Sequence, residues 1–180
     1  MARPIYGYTL VETILATAFA VILAASLMNA YMMTRQVYLS GVAGQGMQDG
    51  ANLVLAKILQ GAAEPAGIFR LPEAVSYTMP GDAGELHFIG TDAVERWYKL
   101  SADKTQLIYH HPTAAGMVDE SIYTAPAGAS IDLVFDPPVS AFYTGVDINI
   151  SVTLTQNVSG RNISGYASTM VFLRNHEVGA

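Results

Sequence analysis

The chain has no cysteine and few charged residues. The missing cysteines exclude disulfides, a lipid-bearing cysteine, thiolate chemistry and thiolate zinc sites. Charged residues make up 13% of the chain, and the nine lysines and arginines are scattered among fifteen acidic residues, for a formal charge of −6. We therefore expect no nucleic-acid partner, because the basic patch that binds phosphates is missing. A hydrophobic content of 51% over 180 residues excludes a disordered chain and allows one modest domain with an appendage.

Signatures of an enzyme or of a metal centre are also lacking. The sequence contains no serine-centred nucleophile motif, phosphate loop or paired-carboxylate pattern. His110 and His111 are adjacent, so on a strand they point to opposite faces and cannot share a metal ion. The aspartates at positions 132, 136 and 147 lack the spacing of a calcium loop. We expect no enzymatic activity, no cofactor and no metal, and we expect exposed or capping histidines.

A long apolar segment dominates the amino-terminal part. Residues 8–28 contain no proline or glycine, and their only charge is Glu12. As a helix these residues extend about 32 Å, enough to cross a hydrocarbon core of about 30 Å. Arg3 and the chain amine precede the segment and Arg35 follows it, which favours a cytoplasmic amino terminus. The pattern predicts a single-pass helix with the rest of the chain outside the cytoplasm.

Three interpretations of this segment have to be compared. A signal peptide would be cut near residues 18–20 or 24–25. Against it, a single arginine precedes the apolar segment, and apolar residues continue past either cleavage site. A permanent anchor explains the length and leaves Glu12 unexplained, since a central charge costs about 2.5–3.5 kcal/mol on insertion scales. Cleavage between Gly7 and Tyr8 would create an α-amine one helical turn from Glu12. The amine of a neighbouring copy can then pair with that carboxylate and fix the register between helices.

The third interpretation coincides with a family resemblance. The leader with Arg3, followed by Gly7-Tyr8-Thr9-Leu10-Val11-Glu12 and an unbroken apolar helix, resembles the processing motif of type IV pilins and type II secretion pseudopilins. Phenylalanine is usual at the position of Tyr8. The resemblance implies that a prepilin peptidase removes residues 1–7 and N-methylates Tyr8, and that an inner-membrane platform assembles the helix into a filament. Many pilins have a helix-bending proline where this chain has Asn29.

The rest of the chain is typical of an α+β head. A weak helical stripe at Met47, Ala51, Val54/Leu55, Ile58 and Ala62 suits a helix that covers a sheet. Glycines crowd positions 41–50, which indicates either a frayed helix or close approach by a neighbour. Strands are predicted at residues 85–89, 94–100, 105–110, 146–155 and 163–173, and residues 64–67 close the helical region. In strand 146–155 apolar residues alternate with polar ones, including Asp147, on the wet face.

Two hairpins narrow the resemblance to a subtype. One is the carboxy-terminal hairpin, whose last strand ends at residues 171–175, and the other is a middle hairpin formed by residues 97–100 and 107–109. Both resemble hairpins of J-type minor pseudopilins and W-type minor pilins. We therefore expect a leader at 1–7, a membrane and assembly helix at 8–33, an amphipathic helix and linker at 34–67, and a β-rich head at 68–180. The functional expectation is a structural minor subunit of a type IV pilus or type II secretion pseudopilus. The alternative is a permanently anchored domain that binds a ligand outside the cytoplasm.

Overall fold

The computed structural model describes residues 9–61, 63–64, 67–78, 84–136 and 147–173, which fold as one long helix and ten strands. The elements are α1 (Leu10–Gln60), β1 (Ala63–Glu64), β2 (Gly67–Ile68), a 3-10 turn (Leu71–Glu73), β3 (Ser76–Thr78), β4 (Glu85–Ile89), β5 (Glu95–Leu100), β6 (Gln106–Thr113), β7 (Gly116–Thr124), β8 (Ala129–Asp136), β9 (Asp147–Val158) and β10 (Arg161–Phe172). The described residues fall into two units that divide at Gly41. The predicted α+β class is confirmed.

The strands form antiparallel sheets in the second unit. Five strands pair in the order β3-β4-β5-β6-β7, and three pair in the order β10-β9-β8. Strands β1 and β2 form a separate short ribbon after the helix. Each larger sheet runs through neighbours in sequence, so tight hairpin turns make most of the connections.

The carboxy-terminal part of α1 packs in the core of this unit. Met47, Ala51, Val54 and Ile58 are buried at the spacing that the sequence indicates, so this part of the helical stripe is confirmed. Ala62 lies outside the described residues. The helix ends at Gln60 because Gly61 adopts a φ of +70°, where a side chain would collide with the carbonyl oxygen of Phe69.

The glycine-rich stretch is helical throughout, so it is not frayed. A Cβ on Gly50 would meet Leu154 and the hydroxyl of Tyr123, whereas one on Gly46 would meet nothing within 4 Å. On the opposing strand β10, a Cβ on Gly165 would collide with the helix backbone at residues 47 and 48. Close approach between helix and sheet therefore explains some of these glycines, and Gly46 is left without this explanation.

One side chain fastens the helix to strand β10. The amide of Gln48 donates to the main-chain oxygen of Tyr166 over 2.7 Å and accepts from its main-chain nitrogen over 3.2 Å. These two bonds satisfy both polar groups of Tyr166 in the way a neighbouring strand would. Gln48 thus fixes the position of the helix along β10.

The carboxy-terminal hairpin agrees with its alternating pattern, with one correction. Strands β9 and β10 pair without interruption from Arg161 opposite Val158 to Phe172 opposite Asp147. Four apolar residues of β9 are buried, as predicted: Ile148, Ile150, Val152 and Leu154. Asp147 was expected on the wet face and is buried instead, 5% exposed, beside the hydroxyl of Tyr77, which donates to its main-chain oxygen over 3.2 Å.

Strands β4, β5 and β6 lie where the sequence predicts them, whereas strands β1, β2, β3, β7 and β8 were not predicted. β5 and β6 pair as the expected hairpin around residues 101–104. β7 is an exposed edge strand in the described sheet and shows no alternating apolar pattern. Its acidic residues suit an edge, since charge discourages pairing with foreign strands.

A buried ionic cluster joins the segment after the helix to the five-stranded sheet. Arg96 and Glu64, each 2% exposed in the side chain, form two hydrogen bonds of 2.8 and 2.6 Å. Arg96 also pairs with Asp92, and its guanidinium lies 4.3 Å from the ring centroid of Phe69. The hydroxyl of Tyr109 donates to Glu64 over 2.8 Å, and burial raises its pKa well above the usual value. The Glu64 carboxylate therefore accepts three hydrogen bonds inside the protein, two from Arg96 and one from Tyr109.

Candidate functional site at the start of the helix

The predicted processing site is only partly within the described residues. Gly7 and Tyr8, expected at the cleavage and methylation site, lie outside them. Glu12 is described and lies in the first turn of α1, as its only acidic residue there. The geometry of the site is therefore the geometry of residues 9–12 and of the helix that follows.

Glu12 closes a reciprocal cap with Thr9. Its carboxylate accepts from the main-chain nitrogen of Thr9 over 2.8 Å and from the hydroxyl over 2.9 Å, both to Oε2. The main-chain nitrogen of Glu12 in turn donates to the Thr9 hydroxyl oxygen over 3.3 Å. This is the capping box of a threonine followed three residues later by glutamate, a pattern that is readable in the sequence and was missed there. The carboxylate thus has a partner within its own chain as well as the intersubunit partner expected for it.

The helix beyond Glu12 presents apolar side chains all round. The large apolar residues between positions 10 and 28 are 52–78% exposed in the chain by itself. Apolar surface of this extent is unfavourable in water and favourable in lipid or against other helices. Among the described residues, α1 is the one helix long and apolar enough to cross a membrane, judged by length and composition. This agrees with single-pass anchoring near the amino terminus.

The hydroxyl side chains of this segment bond to the helix itself. Thr17 donates to the carbonyl of Ile14, and Ser26 to that of Ile22, both over 2.9 Å. Thr13 and Thr34 make the corresponding bonds to carbonyls four residues earlier, over 3.1 and 2.9 Å. Because hydrocarbon offers no hydrogen-bond partner, such internal bonds let the helix enter lipid without unpaired hydroxyls.

The helix runs unbroken through Asn29, where many pilins have proline. No proline occurs between Leu10 and Gln60, so every main-chain nitrogen in the interior can take part in the helical ladder. No proline therefore bends α1 at Asn29.

The described histidines do not form a metal centre. No group of three or more His, Cys, Asp or Glu side chains among the described residues is arranged to hold a metal ion. His110 is half-buried beside Trp97, whereas His111 is buried, 2% exposed, and stacks on Tyr109 at 4.9 Å. The expectation of exposed or capping histidines is wrong for His111, because Tyr109 and Glu120 enclose it.

Comparisons of the chain with protein-family models, with curated proteins and with solved structures find no match.

Proposed function

We propose that this chain is a structural minor subunit of a type IV pilus or type II secretion pseudopilus, of the J or W kind. A prepilin peptidase cuts after Gly7 and methylates the new amine of Tyr8. The processed subunit is then anchored in the inner membrane with its head outside the cytoplasm. The assembly platform later moves it into a filament with other subunits. The observation that carries the proposal is a lone carboxylate, Glu12, in the first turn of an apolar helix and five residues after Gly7.

The first support for the proposal is the free energy that it costs to place the Glu12 carboxylate in an apolar segment. Glu12 is the only charged residue between positions 8 and 34, and the helix around it suits lipid. The Thr9 cap lowers the cost of keeping this charge while the subunit is alone in the membrane. In a filament the α-amine of a neighbouring Tyr8 offers a cation, which adds a charge-assisted bond and fixes the axial register.

The exposed helix supports the proposal through its apolar surface. That surface needs a cover in every state, which is lipid before assembly and the helices of other subunits afterwards. The head packs on the far part of the same helix through Met47, Ala51, Val54 and Ile58. No step in this function requires a catalytic group, a cofactor, a metal or nucleic acid.

The competing function is a permanently anchored domain that binds a ligand with its sheet. It uses the same membrane helix and the same head. The two functions differ at the amino terminus, which in an anchored domain would remain uncut or be cut by a signal peptidase. An anchored domain also gives the charge of Glu12 no role.

A pair of variants tests the role of Glu12. Glu12→Val removes both the charge and the cap, and Thr9→Ala removes the hydroxyl of the cap while keeping the carboxylate. We expect both variants to insert and be cleaved, Glu12→Val to be lost from sheared filaments, and Thr9→Ala to assemble. Incorporation is measured by immunoblotting of the filament fraction against the membrane fraction. Normal incorporation of Glu12→Val would show that assembly does not need the carboxylate, and equal loss of both variants would show that it acts only through the cap in its own helix.

A further inference from the structure

The only tryptophan of the chain lies between two histidines on the outer face of the five-stranded sheet. The ring of Trp97 on β5 stacks on His110 of β6 with centroids 3.4 Å apart, and on His87 of β4 at 5.1 Å. The interplanar angles are 6° and 15°, so the three rings form a nearly parallel stack across three strands. A protonated imidazole is attracted to the face of an indole, so the stack on Trp97 favours the charged form of His87.

The hydrogen bonds of His87 require a proton on each ring nitrogen. Nδ1 lies 2.9 Å from Glu95 Oε1, and Nε2 lies 2.9 Å from Glu85 Oε1. An ionised carboxylate only accepts, so both nitrogens must donate, and that is the imidazolium form. Partial burial works against the charge, but the hydrogen bonds to Glu95 and Glu85 outweigh it and hold the pKa of His87 above its usual value.

His111, on the other face of the sheet, has the same pattern. Its Nδ1 lies 3.1 Å from the carbonyl oxygen of Pro112, and its Nε2 lies 3.0 Å from Glu120 on β7. His110 completes the set with a 2.6 Å bond from Nδ1 to Asp119, again on β7.

The charged groups around the three histidines come from strands β4, β5 and β7. β4 contributes Glu85, β5 contributes Glu95 and Lys99, and β7 contributes Asp119 and Glu120; β3 presents Thr78 opposite His87 and no titratable group there. Lys99 bonds to Asp119 over 3.1 Å, and the hydrogen bond from His110 together with Lys99 holds the pKa of Asp119 below its usual value. Together, Glu85, Glu95 and His87 carry a formal charge of −2 when His87 is neutral and −1 when it is protonated.

We propose that His87 makes the outer face of strands β4 and β5 proton-responsive: the charged ring bonds to both Glu85 and Glu95 and stacks on Trp97, and the neutral ring can keep only one of these two bonds and stacks less firmly. The inference depends on the geometry of the head and not on filament assembly.

The direction of the effect follows from proton linkage. A histidine whose pKa is raised in the folded state binds more protons there than in the unfolded state. The stabilisation is fully present below the unfolded pKa of about 6.5 and is lost as the pH rises through the folded pKa. Each unit by which the folded pKa exceeds the unfolded one changes the folding equilibrium about tenfold. The head is therefore more stable in mild acid than in mild base.

Trp97 reports this titration without a label. Protonated imidazole quenches indole emission, so the emission of the full-length protein in detergent micelles should rise with pH between 5 and 9. The midpoint should lie above 6.5, the usual value for histidine. Glu95→Gln removes one partner of His87 and should lower the midpoint, while His87→Asn should reduce the rise. The urea concentration that half-unfolds the head should fall from pH 6 to pH 8 in the unmodified protein and change less in His87→Asn.

Asp132→Asn is the matched control. Asp132 is a surface carboxylate paired with Lys104 and with no histidine, so its loss should leave the midpoint unchanged. Emission that is flat with pH, or a midpoint that Glu95→Gln does not move, would overturn the proposal. Because Glu95 is 55% exposed in its side chain, Glu95→Gln keeps the test decisive even if His87→Asn does not fold. None of these outcomes depends on processing at Gly7, so the result stands apart from the proposed function.

Discussion

Removing Arg96 should destabilise the head more than any surface substitution. Arg96 and Glu64 are each 2% exposed in the side chain, so Arg96→Met leaves the Glu64 carboxylate buried without its cation. Breaking a buried pair from one side costs about 3–5 kcal/mol. The Tyr109 hydroxyl still donates to Glu64, and Asp92 is 43% exposed and returns to water, so we expect the lower end of that range. A loss of about 3 kcal/mol is a large part of the 5–15 kcal/mol that stabilises an ordinary domain.

The assay is urea unfolding of the full-length protein in detergent micelles, followed by Trp97 emission and by far-ultraviolet circular dichroism. Lys104→Met is the control, because its pair with Asp132 is more than half exposed and should contribute about 0–1 kcal/mol. Adding Glu64→Gln to Arg96→Met removes the stranded charge and should restore part of the stability. An Arg96→Met protein within 1 kcal/mol of the unmodified one, or a double variant less stable than the single, would refute the reasoning.

Two further substitutions test how the helix is seated on β10. Gly165→Ala would drive a Cβ into the helix backbone at residues 47 and 48, and we expect a loss of about 3 kcal/mol, measured as a lower urea midpoint. An unchanged midpoint would mean that helix and strand are further apart than described. Gln48→Ala removes both bonds to the main chain of Tyr166 and should cost about 1–3 kcal/mol, with faster amide exchange at Tyr166 if the groups open to water. Exchange at Tyr166 equal to that of the unmodified protein would contradict this role.

Elements with a strong period could be predicted from the sequence. The helical stripe from Met47 to Ile58 and the alternation in β9 each place apolar residues on one face, and burial of that face decides the structure. The edge strand β7 could not be predicted in this way, because it is mostly exposed and its acidic residues face histidines and water. Asp147 broke the alternation of β9 because position 147 is enclosed at the start of the strand, which no local pattern reveals.

The part of the candidate site that depends on local spacing could also be predicted from the sequence. Glu12 was identified by its cost in an apolar segment, and its cap with Thr9 could have been found from the spacing of three. The pair of Glu64 with Arg96 joins residues 32 positions apart, and the stack of His87, Trp97 and His110 depends on the register of three strands. Such contacts are fixed by sheet topology and not by any local sequence pattern.

The amino terminus of the mature protein tests the central claim most directly. Mass spectrometry of the protein purified from its own cells should show a chain that begins at Tyr8 with a methyl group on its α-amine. That result would establish processing after Gly7, which creates the amine that Glu12 is proposed to meet. A chain that keeps Met1 or begins at Ala2, or one cut near Ala25, would contradict the account and favour a permanent anchor or a secreted head.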